Sequence, residues 1–271
     1  MATKTSSVCD GCLKGTSRRD MSNAESRPRH HAALTALARV GERLRTVAFC
    51  AFVAAAAAAQ PSAAASGGAV ATRCLPGYSY AGVQDVRRAH GVRATLVELA
   101  KPFVEDGHVA AWVGVGGPGA GPGGSDAWVQ VGLSGFPDGS SRVYFEVTHP
   151  GADPVYTEVA PTVATGTRHD VAALEIAARP NWWRLWVDGA AVSPPLHLPA
   201  SSGRWNPIAT AETWDGGKNV CNRFAYRFEH VSVAVRRGGS WTPVVVGSVF
   251  RDRGYRVVRG PGSAFVADAV G

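Results

Sequence analysis

The segment AWVQVGL at residues 127–133 decides the fold, because two kinds of side chain alternate along it. In an extended chain every second side chain points to the same face. One face of this segment is entirely aliphatic and consists of Ala127, Val129, Val131 and Leu133. The opposite face carries Trp128 and Gln130. This alternation predicts a β-strand whose aliphatic face is buried.

The same alternation recurs elsewhere in residues 66–271, where helical periodicity is almost absent. VYFEV at 143–147 places Tyr144 and Glu146 opposite an aliphatic face, and HVAAWVGV at 108–115 does the same for Trp112. Short alternating segments between Gly, Pro, Asp and Ser clusters are typical of all-β domains. The pattern predicts strands near 92–99, 108–115, 127–134, 142–148, 155–160, 170–177, 182–188, 207–214, 225–235 and 241–250.

These strands predict an all-β domain over residues 66–271, built as a two-sheet antiparallel β-sandwich of the jelly-roll type. The dipeptide Asp188-Gly189 predicts a tight hairpin turn, since it supplies the positive φ angles that such turns need. The segment GVGGPGAGPGG at 114–124 predicts an irregular, mobile loop. It lacks the Gly-Lys-Ser/Thr ending of a phosphate-binding loop, which argues against a nucleotide site.

The second face of several strands mixes large aromatic side chains with carboxylates or an amide. If these strands are neighbours, the aromatics form one surface that bears Gln130, Glu146, Glu158 and Glu212. A simple solvated face has fewer large aromatics, so the pattern indicates a groove for a substrate or ligand. The alternative is that loops cover the aromatics and that the acids are ordinary surface charges.

Residues 1–65 predict an N-terminal leader. The apolar run VAFCAFVAAAAAA at 47–59 follows several arginines and precedes small residues at 63–65, which is the order of a secretory signal peptide. We therefore expect a secreted, extracellular protein without a stable membrane span, since the run is shorter than the about 20 residues that a span needs. Met21 is an alternative start, and a retained anchor helix is the competing interpretation of the apolar run.

Charge and cysteines follow the same division. Residues 66–271 hold nineteen basic and seventeen acidic residues, and this near-balance argues against nucleic-acid binding. Two of the five cysteines, Cys74 and Cys221, lie in this part of the chain. In an exported chain they predict one disulfide closing a loop of roughly 150 residues. Two free buried thiols are the alternative.

Several kinds of active site are absent from the sequence. There is no Gly-x-Ser-x-Gly and no His-Glu-x-x-His, and the histidines share no ligand spacing. We therefore expect neither a metal site nor a cofactor. What remains is the chemistry of carboxylates and amides.

The motifs along the chain resemble those of the glutamic peptidases, or eqolisins, which are secreted acid proteases. Trp128-Val129-Gln130-Val131-Gly132 is similar to the family's strand with the catalytic glutamine, and Ala211-Glu212-Thr213-Trp214 is similar to the segment around the catalytic glutamate. Further similarities, in the same order, lie at 80–83, 111–117, 144–147 and 228–234. Together they cover about residues 78–235.

The resemblance implies a concanavalin A-like sandwich and a glutamic-type acid endopeptidase that acts on extracellular polypeptides. We also expect a monomer. It implies that Glu212 is the general base and Gln130 the oxyanion donor. It further implies a substrate groove lined by Trp112, Trp128, Tyr144 and Glu146. Two departures stand out: Gly116 replaces the family's aspartate in its strand, and Asp215 follows Glu212 as a second candidate acid at a different spacing.

Two other functions fit the same pattern. A non-catalytic concanavalin-like domain that binds carbohydrate or protein would use the same aromatic surface, because aromatic rings stack on sugars as well as on peptides. A glycan hydrolase or lyase on this fold would need two carboxylates, about 5 Å apart for a retaining hydrolase, and Glu146 and Glu212 are the pair to test.

Overall fold

The computed structural model describes residues 74–245 and 247–270. The leader predicted for residues 1–65, with its apolar run at 47–59 and the alternative start at Met21, lies outside the described residues. The described chain forms sixteen strands and one short 3-10 turn, at Pro122–Gly124. The strands are β1 (Tyr78–Gln84), β2 (Gly91–Phe103), β3 (His108–Gly117), β4 (Ala127–Gly135), β5 (Ser141–Thr148), β6 (Val155–Ala160), β7 (Arg168–Glu175), β8 (Trp182–Val187), β9 (Ala190–Ala191), β10 (Leu196–His197), β11 (Pro207–Trp214), β12 (Arg223–Arg236), β13 (Gly239–Pro243), β14 (Ser248–Arg251), β15 (Tyr255–Arg259) and β16 (Phe265–Ala269).

The strands form two antiparallel sheets that face each other across one core, which confirms the predicted all-β sandwich. The seven-stranded sheet has the order β14-β1-β11-β3-β4-β5-β6. The nine-stranded sheet has the order β10-β8-β7-β2-β12-β16-β15, and β13 and β9 pair with β12 and β8 at its side. No helix in the described ranges has the length and apolarity needed to cross a lipid bilayer.

The aliphatic faces read from the sequence are the faces that fill this core. Val129, Val131 and Leu133 of β4 are fully buried. They belong to the same hydrophobic cluster as Leu185 of β8 and Phe228 of β12, from the opposite sheet. Each fully buried aliphatic side chain contributes roughly 1.5–3 kcal/mol relative to its exposed state. Burial of this aliphatic face directs the alternate side chains of the same strands to the outer face of the sheet.

The Asp188-Gly189 turn is confirmed. Both residues have positive φ angles, 49° and 80°, and the flanking pairs Val187↔Ala190 and Trp186↔Ala191 leave a two-residue loop. These angles match the turn type whose twist agrees with that of the paired strands.

Two local predictions are wrong. The segment 241–250 is not one strand, because β13 pairs with β12 in one sheet and β14 pairs with β1 in the other. Pro243 ends the first of these strands, since proline has no N–H to donate. The segment 114–124 is not wholly irregular either. Its first four residues extend β3 to Gly117, which pairs with Ala127.

A disulfide joins Cys74 and Cys221, as predicted, across a sequence separation of 147 residues. It ties the chain just before β1 to the loop after β11, and these two strands are neighbours in the seven-stranded sheet. We expect the variant Cys74→Ala/Cys221→Ala to lose about 3–5 kcal/mol of unfolding free energy, because its unfolded chain is no longer constrained by a long covalent loop. Urea unfolding measures this loss. A reductant is expected to destabilise the parent to the same level and to leave the variant unchanged, whereas equal stability of parent and variant would contradict the assignment.

Candidate active site on the outer face of the seven-stranded sheet

Four neighbouring strands, β11, β3, β4 and β5, carry the catalytic and groove residues that the family resemblance implies. Because the alternate residues of these strands lie in the core, the remaining side chains share the outer face. We call this surface the site face. Its members on the four strands include His108, Ala110, Trp112, Trp128, Gln130, Tyr144, Glu146, Ile208, Glu212 and Trp214.

The strand register places these residues in rows across the sheet. Gln130 lies between Gly114 of β3 and Glu146 of β5. Glu212 of β11 faces Ala110 and, on its other side, Tyr80 of β1. Glu146 and Glu212 are therefore separated by two intervening strands, β3 and β4.

Glu212 is held by ring nitrogens. The indole Nε1 of Trp112 donates a hydrogen bond of 2.8 Å to its Oε2, and Nε2 of His108 lies 3.4 Å from its Oε1. Only 6% of the residue is exposed. No arginine or lysine of the described residues forms an ion pair with this carboxylate, so the Trp112 hydrogen bond and the histidine orient it.

Gln130 is held by a tyrosine. Its amide Nε2 donates to the hydroxyl of Tyr144 at 3.1 Å. The Tyr144 ring stacks on Tyr156, with 5.0 Å between the centroids. An amide nitrogen carries two N–H donors, so the second remains for another acceptor. Gln130 is thus a fixed donor on a face that is rich in aromatic side chains.

The two sides of the site meet at two aromatic rings. Trp112 and Tyr144 pack in one small hydrophobic cluster with Ala110 and Ile208, separate from the main core. One ring donates to Glu212, and the hydroxyl of the other accepts from Gln130. Glu146 joins the same surface by accepting from Nε1 of Trp128 at 2.9 Å.

Two glycines, Gly114 and Gly132, allow close packing of the strands beside Gln130 and Trp112. A Cβ added to Gly114 would lie 3.0 Å from the Gln130 Cβ and 3.1 Å from Cζ3 of Trp112. A Cβ added to Gly132 would lie 1.9 Å from the Ala111 carbonyl oxygen. Glycine at these two positions lets β3 and β4 approach closely while the tryptophan lies between Gln130 and Glu212.

Scytalido-glutamic peptidase, crystallised with a peptide-based transition-state analogue, superposes with a TM-score of 0.53 at 15% identity, covering 73% of this chain and all of its own. The same peptidase with another transition-state analogue inhibitor gives 0.50 at 13% identity, with the same coverage. The fold is that of the glutamic peptidases. The resemblance drawn from the sequence motifs is therefore confirmed at the level of the fold.

A third structure, SCP-B of the eqolisin family with the tripeptide Ala-Ile-His, gives a TM-score of 0.49 at 16% identity over 71% of this chain and 98% of its own. Neither the known family profiles nor the curated proteins contain a match to this sequence.

Within the glutamic-peptidase fold, Asp215 does not lie beside Glu212. Its carboxylate accepts hydrogen bonds from the backbone N–H groups of Gly217 and Asn219, at 2.8 and 3.0 Å. It is therefore committed to the turn that follows β11. Glu158, at the edge of the sheet, pairs with Arg142.

The sequence did not predict that aromatic residues at one end of the site face stack into one group. Tyr78 stacks on Tyr80 and on Trp214, with 6.2 Å between centroids in both cases, and His108 lies 5.8 Å from Trp214. The sequence analysis does not place His108 in the site. Its place on the same alternating face as Trp112 was the available signal. No cluster of three or more metal-ligating side chains occurs in residues 74–245 and 247–270.

Burial and nearby carboxylates together raise the pKa values of three tyrosines, Tyr144, Tyr80 and Tyr226. Burial raises the pKa of Tyr144 well above its ordinary value, and the charges of Glu212 and Glu146 raise it further. The pKa of Tyr80 is raised by burial and then by Glu212. Both hydroxyls therefore stay protonated throughout the acid and neutral range. In the core, burial and Glu98 raise the pKa of Tyr226 in the same direction.

These three tyrosines predict loss of stability in alkali. In the unfolded chain each ionises at about pH 10, while the folded chain keeps its protons. Their contribution is thus complete below about pH 10 and is lost as the pH rises toward the raised pKa values, at up to ~1.4 kcal/mol per pH unit for each group. Urea unfolding between pH 8 and 11.5 measures the slope. Tyr226→Phe is expected to reduce it, and a parent profile that stays flat to pH 11 would contradict the account.

Proposed function

We propose that this protein is a secreted glutamic-type acid endopeptidase that cleaves polypeptides by direct attack of water. The observation that carries the proposal is the pair of fixed groups on the site face: the Glu212 carboxylate, oriented by Trp112, and the Gln130 amide, oriented by Tyr144. The glutamic-peptidase fold supports it. A single disulfide is compatible with export.

In this proposal Glu212 is the general base. A carboxylate can take a proton from water as the water attacks the peptide carbonyl carbon, and it can return that proton to the leaving nitrogen. The Trp112 hydrogen bond to Oε2 fixes one oxygen, so that Oε1 is the oxygen directed to the water. Nε2 of His108 lies beside this same oxygen, at 3.4 Å.

Gln130 is the oxyanion donor. Charge develops on the carbonyl oxygen in the tetrahedral intermediate, and a fixed N–H donor beside that oxygen stabilises it by roughly 3–4 kcal/mol. The Tyr144 hydroxyl holds one amide proton of Gln130, and the second is available to the oxyanion. Trp128 and Glu146, joined by their own hydrogen bond, would form the wall of the groove beside Gln130.

The test combines cleavage with a trap for covalent intermediates. The folded chain is incubated at pH 4 with terminally blocked peptides in the presence of methanol, and the products are weighed by mass spectrometry. Direct attack by water leaves the protein itself unmodified, whereas an acyl-enzyme adds the mass of a peptide fragment to the protein and is diverted in part to methyl esters. A protein that carries such a fragment, together with methyl esters, would exclude the mechanism, and absence of any cleavage by the folded chain would exclude the activity.

A glycan-binding assay belongs beside this test. The aromatic site face is also suited to stacking on sugars, which is the non-catalytic alternative. Binding to glycans by a chain that cleaves no peptide would move the assignment to a carbohydrate-binding domain.

A further inference from the structure

A pocket of about 500 Å³ adjoins the site face, where β1 ends, β3 ends and β11 begins. Gln84, Gly116, Trp205 and Asn206 contribute to its lining. Gly116 keeps the pocket open: it has a φ of 90°, and a Cβ there would lie 2.3 Å from the Ala127 carbonyl oxygen and 3.0 Å from Cε3 of Trp205. A residue with a side chain would be strained in this conformation and would fill part of the pocket.

The lining of this pocket is basic. It includes Arg88 and Arg204, both exposed, and no acidic residue. Neither guanidinium forms an ion pair with a described residue, in contrast to Arg87, whose Nη2 lies 2.6 Å from the Asp85 carboxylate. Asp85, the acidic residue closest to Arg88 in the sequence, is thus already paired with Arg87. Two guanidinium groups, each with five N–H donors, are available to an anion.

The strand register relates the pocket to the proposed catalytic residues. Gln84 lies in the same row across the sheet as Gln130, with Ile208 and Gly114 between them. Gly116 is four residues beyond Trp112 on β3, which is about 13 Å in a strand. An extended peptide that touches Trp112 therefore reaches the pocket after about four residues.

We propose that this pocket is a subsite for a carboxylate of the polypeptide substrate, held by Arg88 and Arg204. The proposal rests on the peptidase function proposed above and specifies its substrate class. A guanidinium group binds a carboxylate through two parallel, charge-assisted N–H···O bonds. The carboxylate comes either from an Asp or Glu side chain, or from the C-terminus of a peptide that ends in the pocket.

The experiment measures binding without cleavage. The Glu212→Gln variant is titrated with fluorescent peptides at pH 5.5, where peptide carboxylates are ionised. A blocked peptide with Asp is compared with its Asn counterpart, and a neutral peptide with a free C-terminus is compared with its amide. We expect the charged member of one pair to bind about tenfold tighter, as one charge-assisted contact provides. The pair that shows the difference identifies the source of the carboxylate.

Variants connect the preference to the two arginines. Arg88→Gln/Arg204→Gln is expected to abolish it, and Arg88→Glu/Arg204→Glu is expected to prefer a matched Lys peptide. The control is Arg236→Gln/Arg237→Gln, which removes two exposed arginines at the turn between β12 and β13 and should keep the preference. Thermal unfolding checks that each variant folds.

Equal binding of charged and neutral peptides, or a preference that survives in Arg88→Gln/Arg204→Gln, would overturn the subsite. Failure of the peptidase proposal gives a different result: the parent chain then cleaves no peptide, while the binding preference and its dependence on the two arginines persist.

Discussion

The Glu212→Gln variant is expected to lose at least about 10³-fold in kcat on a peptide substrate, with little change in KM. General-base catalysis typically contributes 10²–10⁴-fold, and an amide cannot take a proton from water. The amide oxygen can still accept the hydrogen bond that Trp112 donates at 2.8 Å in the parent. The variant should therefore keep its fold, and the loss should appear in the chemical step.

Steady-state kinetics at the optimal acid pH give this result, and unfolding in urea shows that the fold is intact. Glu105→Gln is the matched control, because Glu105 is exposed and its carboxylate has no hydrogen-bond or ion-pair partner among the described residues. Its kcat should equal that of the parent. A Glu212→Gln variant that is folded and retains activity would remove Glu212 from the mechanism.

The second large effect is expected at Gln130. Gln130→Ala should lower kcat by about 10²–10³-fold, which is the usual cost of removing one oxyanion donor. KM should change little, because the donor acts on charge that exists only in the transition state. The parent, Gln130→Ala and Tyr144→Phe are compared on the same peptide.

Tyr144→Phe separates catalysis from positioning. It removes the hydroxyl that accepts from Gln130 and leaves the amide in place, so its kcat should fall less than that of Gln130→Ala. An equal fall in the two variants would assign the effect to Tyr144. An unchanged kcat in Gln130→Ala would exclude an oxyanion role for Gln130.

The part of the structure that sequence reasoning predicted well is the alternation on β3, β4, β5 and β11. A period of two assigns each side chain to a face without any knowledge of the partner strand. The apolar residues Val113, Val131 and Phe145 are accordingly in the core, and Trp112, Gln130 and Glu146 are on the opposite face. The candidate site thus emerged as a set of strands that share one pattern.

The remaining parts depend on contacts that are distant in sequence. The segment 78–84 was not assigned as a strand, yet β1 pairs with β11 over its whole length. The hydrogen bond between Trp112 and Glu212 joins residues 100 positions apart. The role of His108 depends on the same pairing. Local periodicity contains no information about register between strands, so these features required the structure.

The central claim is most directly tested by the pH profile of proteolysis. The folded, disulfide-bonded chain is incubated with a denatured protein at pH 2–7, and the internal cleavage products are quantified by mass spectrometry beside those of Glu212→Gln. The account predicts internal cleavage in the acid range by the parent and none above background by the variant. No cleavage by the folded parent at any pH, or the same cleavage by the variant, would contradict it.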